Sequence, residues 1–276
     1  MHIGARSALV VWAVTTSVTA QAEPKPEGLA SEGTYQVPAL ESEVGGIYPH
    51  PSKDGFYLIA TNKNPAYTRG QAPKLPVEQR GKLLVVDGRT GALTEGFSLP
   101  GKSYGGIASD GKLLYISSLE PAEVLAFDLS KGTVVRRIAL EAPAGGLELD
   151  RQRHQLLAQI YLKHPHLAVI DIRTGAVVGS LWSDESAMDL KMVDGDLLCT
   201  WVSSFDKDAF SELRRIDRRT GKVTGRIRLD GVHSSMAPLD PKVSGSTGFL
   251  TLRTTDKASG ALAIQKFRYD RRAMAW

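Results

Sequence analysis

Leu167-Ala-Val-Ile-Asp171-Ile-Arg-Thr-Gly175 is a stretch that the chain repeats with small changes along its length. Its counterparts are Lys82-Leu-Leu-Val-Val-Asp87-Gly-Arg-Thr-Gly91, Val124-Leu-Ala-Phe-Asp128-Leu-Ser-Lys-Gly132 and Leu213-Arg-Arg-Ile-Asp217-Arg-Arg-Thr-Gly221. A degenerate copy, Gln265-Lys-Phe-Arg-Tyr-Asp270-Arg-Arg-Ala273, lacks the glycine. From Asp87 through Asp128, Asp171 and Asp217 to Asp270 the steps are 41, 43, 46 and 53 residues. A period of this size belongs to the blades of a propeller rather than to helical repeats. Asp accepts hydrogen bonds from backbone N–H groups two or three residues on, and the glycine supplies the positive φ that closes a tight hairpin. Each copy therefore joins two antiparallel strands.

Strand-like runs follow each turn at Ala92–Leu99, Thr133–Leu140, Ala176–Trp182 and Lys222–Leu229. A second turn precedes each first one, as Asp54-Gly55, Asp110-Gly111 and Asp194-Gly195, with Arg151–Gln155 and Ser244–Thr247 in the remaining copies. Every unit thus offers four short strands, the make-up of one blade. The predicted fold is all-β, a propeller of five blades at Gly45–Pro100, Gly101–Glu141, Ala142–Ser183, Asp184–Asp230 and Gly231–Trp276. A sixth would have to hide in the long first unit, where Asn62–Arg80 is rich in proline and polar residues and reads as an inserted loop. The last unit has no room for a full outermost strand. Gly33-Thr-Tyr-Gln-Val-Pro-Ala-Leu40 is expected to supply it, so that the two terminal segments close the ring and remove an open edge.

Met1–Ala22 carries Arg6, an apolar run from Ala8 to Ala20 and an Ala-Gln-Ala cleavage pattern, and reads as a signal peptide. The expected mature chain is one propeller domain over 23–276, secreted or periplasmic and monomeric, with no membrane span. Cys199 is the single cysteine, so no internal disulfide forms. Its setting, Asp196-Leu-Leu-Cys-Thr-Trp201, reads as a buried strand rather than a reactive thiol. The net charge of +4 arises from 34 basic and 30 acidic residues, and the basic residues fall in pairs such as Arg218-Arg219 rather than long runs. No nucleic-acid partner is expected from that pattern.

The repeated strand, Asp-x-x-Thr-Gly turn and further strand resemble the YVTN-type propeller repeats of exported bacterial proteins and those of quinoprotein-dehydrogenase-like chains. That resemblance implies fold and export. It leaves function open, because the matching residues are turn residues. Glu43 is similar in position to the early metal-holding Glu of the gluconolactonase-like hydrolases. Where that family has an Asn-Gly pair this chain has Gly105-Gly106 and Gly145-Gly146, and glycine brings no side-chain oxygen to a metal. No metal or cofactor is named by the sequence.

The leading ends of the five predicted inner strands gather Glu43, Tyr104, Glu185, Asp189, His233 and Ser234 around one opening. Converging polar groups on a concave surface make that rim the candidate ligand site. His233 has the chemistry of a base or metal ligand, Tyr104 that of a stacking surface, and Glu185 with Asp189 that of a cation pair. His164-Pro165-His166 and His50 read as turn residues. No catalytic motif is present, so the reading is a binding or scaffold protein for a small molecule, a peptide or an envelope protein. The alternative is a hydrolase, lyase or isomerase of gluconolactonase-like type acting at the channel.

Overall fold

The computed structural model describes residues 29–36, 42–50, 55–62, 81–87, 90, 92–100, 104–162, 164–182, 188–193, 195–203, 210–229, 233–238, 247–255 and 262–270. The signal-peptide reading, the 63–80 insertion and Glu185 lie outside them.

Twenty strands form five four-stranded antiparallel sheets among these residues, and no helix occurs there. The first blade contains β2 (Ser42–Pro49), β3 (Gly55–Asn62), β4 (Lys82–Asp87) and β5 (Leu93–Ser98). The second is β6 (Tyr104–Ser109) to β9 (Thr133–Ala139), with β7 (Leu113–Ser118) and β8 (Glu123–Asp128) between them. The third runs from β10 (Ala144–Asp150) through β11 (Gln155–Ile160) and β12 (His166–Asp171) to β13 (Val177–Trp182). The fourth is β14 (Asp189–Val193), β15 (Asp196–Val202), β16 (Ser211–Ile216) and β17 (Val223–Leu229). The fifth is β18 (His233–Pro238), β19 (Thr247–Thr255) and β20 (Leu262–Asp270), completed on the outside by β1 (Leu29–Gln36).

The closing strand is the one expected from the N-terminal segment, displaced a few residues toward the N-terminus: Leu29 stands opposite Tyr269 and Gln36 opposite Ala263. Strands β2, β6, β10, β14 and β18 adjoin one another in that order, and β18 meets β2 to complete the ring.

The repeated turns have the predicted chemistry. Asp171 Oδ1 accepts from the backbone N–H groups of Arg173 (2.9 Å) and Thr174 (2.8 Å), and Gly175 N–H returns to the Asp171 carbonyl at 2.8 Å. Asp217 repeats this with Arg219, Thr220 and Gly221. Gly175 and Gly221 have φ of 77° and 74°, in the left-handed region where a side chain is strained. These bonds hold the Asp171 and Asp217 carboxyls below their ordinary range.

Among the described residues, three apolar layers fill the spaces between blades one to four. Ile59, Leu83, Ile107, Leu114 and Phe127 join blades one and two. Ala108, Leu147, Leu156 and Ile170 join blades two and three, and Leu157, Leu190, Leu198 and Leu213 join blades three and four. Cys199 lies in the last of these layers, and burial pushes its thiol up to about 12, so it is a small apolar core residue as read from its strand.

Inner strands β2, β6 and β10 each carry a Gly-Gly pair, and the register shifts across it, between Val44 and Ile47, Tyr104 and Ile107, and Ala144 and Leu147. Such a shift is the pattern of a β-bulge. A Cβ on Gly105 would stand 2.8 Å from the Ala144 and Gly145 carbonyl oxygens, so β6 and β10 converge too tightly for a side chain at that position. The Gly-Gly pairs are what let β2, β6 and β10 approach one another this closely.

Candidate functional site

Positions 43, 104, 189 and 233 all fall at or next to the leading ends of inner strands, as the repeat predicts. Glu43 pairs with Thr61, and His233 pairs with Thr254 just before a register shift that matches the Gly-Gly bulges. Their side chains lie outside the described residues. Tyr104 is placed differently from a free stacking surface. Its ring lies against Gly81 in the layer between blades one and two, and it is 4% exposed. Asp189 does face a cation, but the cation belongs to the chain.

Lys191, two residues beyond Asp189 on β14, has no exposed surface. Its Nζ donates to Asp189 Oδ1 at 2.8 Å, to the Leu190 carbonyl at 2.7 Å and to the Leu147 carbonyl of β10 at 3.1 Å. Leu147 and Leu190 lie on innermost strands, which have a ladder partner on one side only. Their inward carbonyls need a donor from elsewhere, and one ammonium with three N–H groups serves both blades. Asp189 Oδ1 also accepts the Leu190 N–H at 2.8 Å.

Glu148 is the next member. It sits on β10 between Leu147 and Leu149, and its carboxylate accepts the backbone N–H groups of Met192 and Leu149. Burial pushes its carboxyl up from 4.5 to about 7, Lys191 opposes the rise, and Asp189 adds to it. Tyr48 of β2 feels Glu148 as well; burial first and that charge second raise its hydroxyl. The Tyr48 hydroxyl donates to the Ser109 carbonyl at 3.4 Å, and Arg151 Nη2 donates to the same carbonyl at 2.7 Å. The Tyr161 hydroxyl lies over Gly145, which has no side chain to bar it. Burial and the Asp189 charge raise that hydroxyl's pKa.

A carboxyl that titrates near 7 when folded and near 4.5 when unfolded binds its proton more tightly in the native state. Its contribution to stability is present in full below about 4.5 and is lost as pH rises through about 7. The turn aspartates, with lowered pKa, act oppositely and weaken the fold only at more acid pH. Urea unfolding should therefore show the protein more stable at mildly acid pH than at pH 8 by up to about 3 kcal/mol. Glu148→Gln should remove most of that difference, and equal stability at both pH values in the wild type would contradict the assignment.

Unpaired polar atoms are the other mark of this region. Ser118 Oγ, Glu148 Oε2, both amide atoms of Gln159 and Thr200 Oγ1 are buried and accept or donate no hydrogen bond among the described residues. All four residues lie on the first or second strand of blades two to four. Gln159 shares a face of β11 with Leu157, which packs in the layer with Leu190, and follows the alternation to Tyr161. That face looks toward β14. A buried polar group without a partner costs about 1–3 kcal/mol.

A cavity of about 780 Å³ opens between blades three and four at the turn end, lined by Asp150, Arg153, Asp196, Arg215, Arg218 and Arg219 among others. Its charges are largely engaged with each other: Asp150 binds Arg218 and, at 2.9 Å, Arg153, while Arg215 donates to Thr224. Unmet hydrogen-bonding capacity favours the channel, and that is the quantity a ligand responds to.

Sequence reasoning reached Asp189 and the rim but missed Lys191, Glu148, Gln159 and Tyr161. The signal was present: a lysine inside Asp189-Leu-Lys-Met-Val193 and a glutamate inside Gly146-Leu-Glu-Leu-Asp150 are charges in otherwise apolar inner strands. A charge in such a setting has to be paired.

No family model and no curated protein sequence matches the chain. Among solved structures, glutaminyl cyclase of Myxococcus xanthus is similar with a TM-score of 0.60 at 14% identity, over 87% of this chain and 97% of that one. Hydrazine synthase of Kuenenia stuttgartiensis aligns at 15% identity and TM-score 0.47, over 78% of this chain and 56% of its own. The WD40 propeller domain of Doa1 aligns at 11% identity and TM-score 0.47, over 84% and 81%. At such identities the likeness concerns architecture, and the chain is a β-propeller.

Proposed function

We propose that the protein is an exported binding propeller, akin to the YVTN-type repeat proteins, that takes a small polar molecule or a peptide end into the mouth of its central channel. Asp189, Lys191 and Glu148 form the floor of that site, and the inner-strand positions of Glu43 and His233 stand at its rim. The observation that carries this reading is the set of buried, unpartnered polar atoms at Gln159, Thr200, Ser118 and Glu148. A fold keeps groups of this kind at a cost when something else answers them.

Gln159→Leu separates function from stability. Removing an amide that is 0% exposed and unpartnered should leave stability unchanged or raise it by about 1–2 kcal/mol, while ligand binding falls at least about tenfold. Thermal unfolding and titration calorimetry on the same variant read both quantities. A fall in stability of the size typical for core damage would show that Gln159 is structural.

Acid–base catalysis on the same floor is a second reading, favoured by a Glu148 carboxyl that titrates near 7. The shape shared with glutaminyl cyclase adds only that this architecture accommodates an enzyme. Whether a captured ligand is recovered chemically unchanged distinguishes the two.

A further inference from the structure

The chain's own Lys191 shows which chemistry the inner channel accommodates. Its ammonium is held by one carboxylate and two inner-strand carbonyls at 2.7–3.1 Å, with no surface exposed. Beside it stands a second carboxylate, Glu148, with Oε2 unpartnered and 8% of the residue exposed. Two carboxylates thus face one ammonium, and the Gln159 amide on the neighbouring strand has its oxygen unanswered.

We propose that the channel floor recognises a primary ammonium group on the ligand, which Glu148 accepts in the manner in which Asp189 accepts Lys191. The inference rests on the channel-mouth reading above and adds the chemical class of the ligand. An anion is disfavoured, because ionised Glu148 and Asp189 leave the cluster one negative charge in excess. A divalent metal fits poorly, since no cluster of three metal-ligating side chains occurs among the described residues and hard cations take six or more oxygens. A quaternary ammonium wants aromatic faces, whereas the acceptors here are carbonyl and carboxylate oxygens that require N–H donors.

The charged and titratable groups around Glu148 are Lys191 and Asp189 from β14 and Tyr48 from β2, which in turn feels Arg151 and Asp110. Lys191 is engaged by three acceptors and Arg151 by the Ser109 and Asp110 carbonyls, so neither is free to neutralise Glu148 fully. Burial then leaves Glu148 protonated below about 7. An incoming ammonium prefers the ionised form and displaces that proton.

The test uses the full chain with n-butylammonium as probe, n-butanol and tetramethylammonium as controls at matched ionic strength, and titration calorimetry at pH 6 and pH 8. The proposal expects n-butylammonium to bind more tightly at pH 8, with affinity falling toward tenfold per pH unit below the Glu148 midpoint. It further expects proton release at pH 6, seen as a heat that depends on the buffer, and at least tenfold weaker, pH-independent binding in Glu148→Gln. Both wild-type readouts stand even if the variant is damaged. Equal binding of n-butanol or tetramethylammonium, or absence of proton release, would overturn the ammonium while leaving the channel mouth in place. Binding that is fully retained in Gln159→Leu would remove the mouth as well.

Discussion

Lys191→Met should destabilise the protein by about 3–5 kcal/mol at pH 8, the largest loss expected from any single substitution in the channel. The replacement keeps the length and apolar bulk of the side chain and removes only the ammonium. Three oxygens then lose the ammonium at once, the Leu147 and Leu190 carbonyls and Asp189 Oδ1, which keeps the Leu190 N–H but not its counter-charge. Asp189 is 1% exposed, so water cannot replace the lost cation without the inner strands parting. Breaking a buried pair from one side is costly because it leaves a charge behind, even where replacing both partners is tolerated. Lys191→Met combined with Asp189→Asn should therefore recover a substantial part of the loss, and a double-mutant cycle by urea unfolding measures it. A single-substitution loss below about 1 kcal/mol would mean that the ammonium is dispensable and its carbonyl partners satisfied otherwise.

Gly146→Ala is the second large effect. The added Cβ would lie 2.6 Å from both the Cα of Asp189 and the N of Leu190, and 2.7 Å from the Asp189 carbonyl carbon. All three are backbone atoms of the neighbouring inner strand, so no rotamer change relieves the overlap, and blades three and four must separate at the level of the Asp189–Lys191 pair. Overpacking of a well-filled core costs about 1–3 kcal/mol, and with backbone on both sides the cost should reach about 3 kcal/mol or more. Two controls bracket it. Gly179→Ala, on outer strand β13 with open space around it, should be neutral. Gly145→Ala meets the far end of the Tyr161 side chain, which can swing away, so it should cost less than Gly146→Ala while displacing that hydroxyl from the channel. Unfolding midpoints that fail to rank Gly146→Ala as the most damaging of the three would contradict the inner-ring packing.

The strand–turn–strand repeat made the blades legible because its chemistry is local. Asp171, Thr174 and Gly175 need only one another to form their hairpin, and the same holds at Asp217 and Gly221. Closure by the N-terminal segment was legible for a different reason, namely that the last unit falls one strand short. The site was only half legible. Leading ends of inner strands can be placed from the repeat, which brought Asp189, Glu43 and His233 to inner-strand ends. What a side chain does there depends on the neighbouring blade, and that is not local. Tyr104 turned into a core layer because Gly81, from the preceding blade, leaves room for its ring. Lys191 turned inward because the Leu147 carbonyl, 44 positions away, lacks a strand partner. Such pairings follow from ring closure and from no single stretch of sequence.

The most direct test of the channel as the functional site is to map amide chemical-shift changes while titrating small polar molecules and short peptides into the labelled protein. The changes are predicted to centre on Leu147, Glu148, Gln159, Leu190 and Lys191 and to spread to the leading ends of the inner strands. Changes confined to the turn-end groove of Asp150, Arg218 and Arg219, with the channel amides unmoved, would contradict a functional channel.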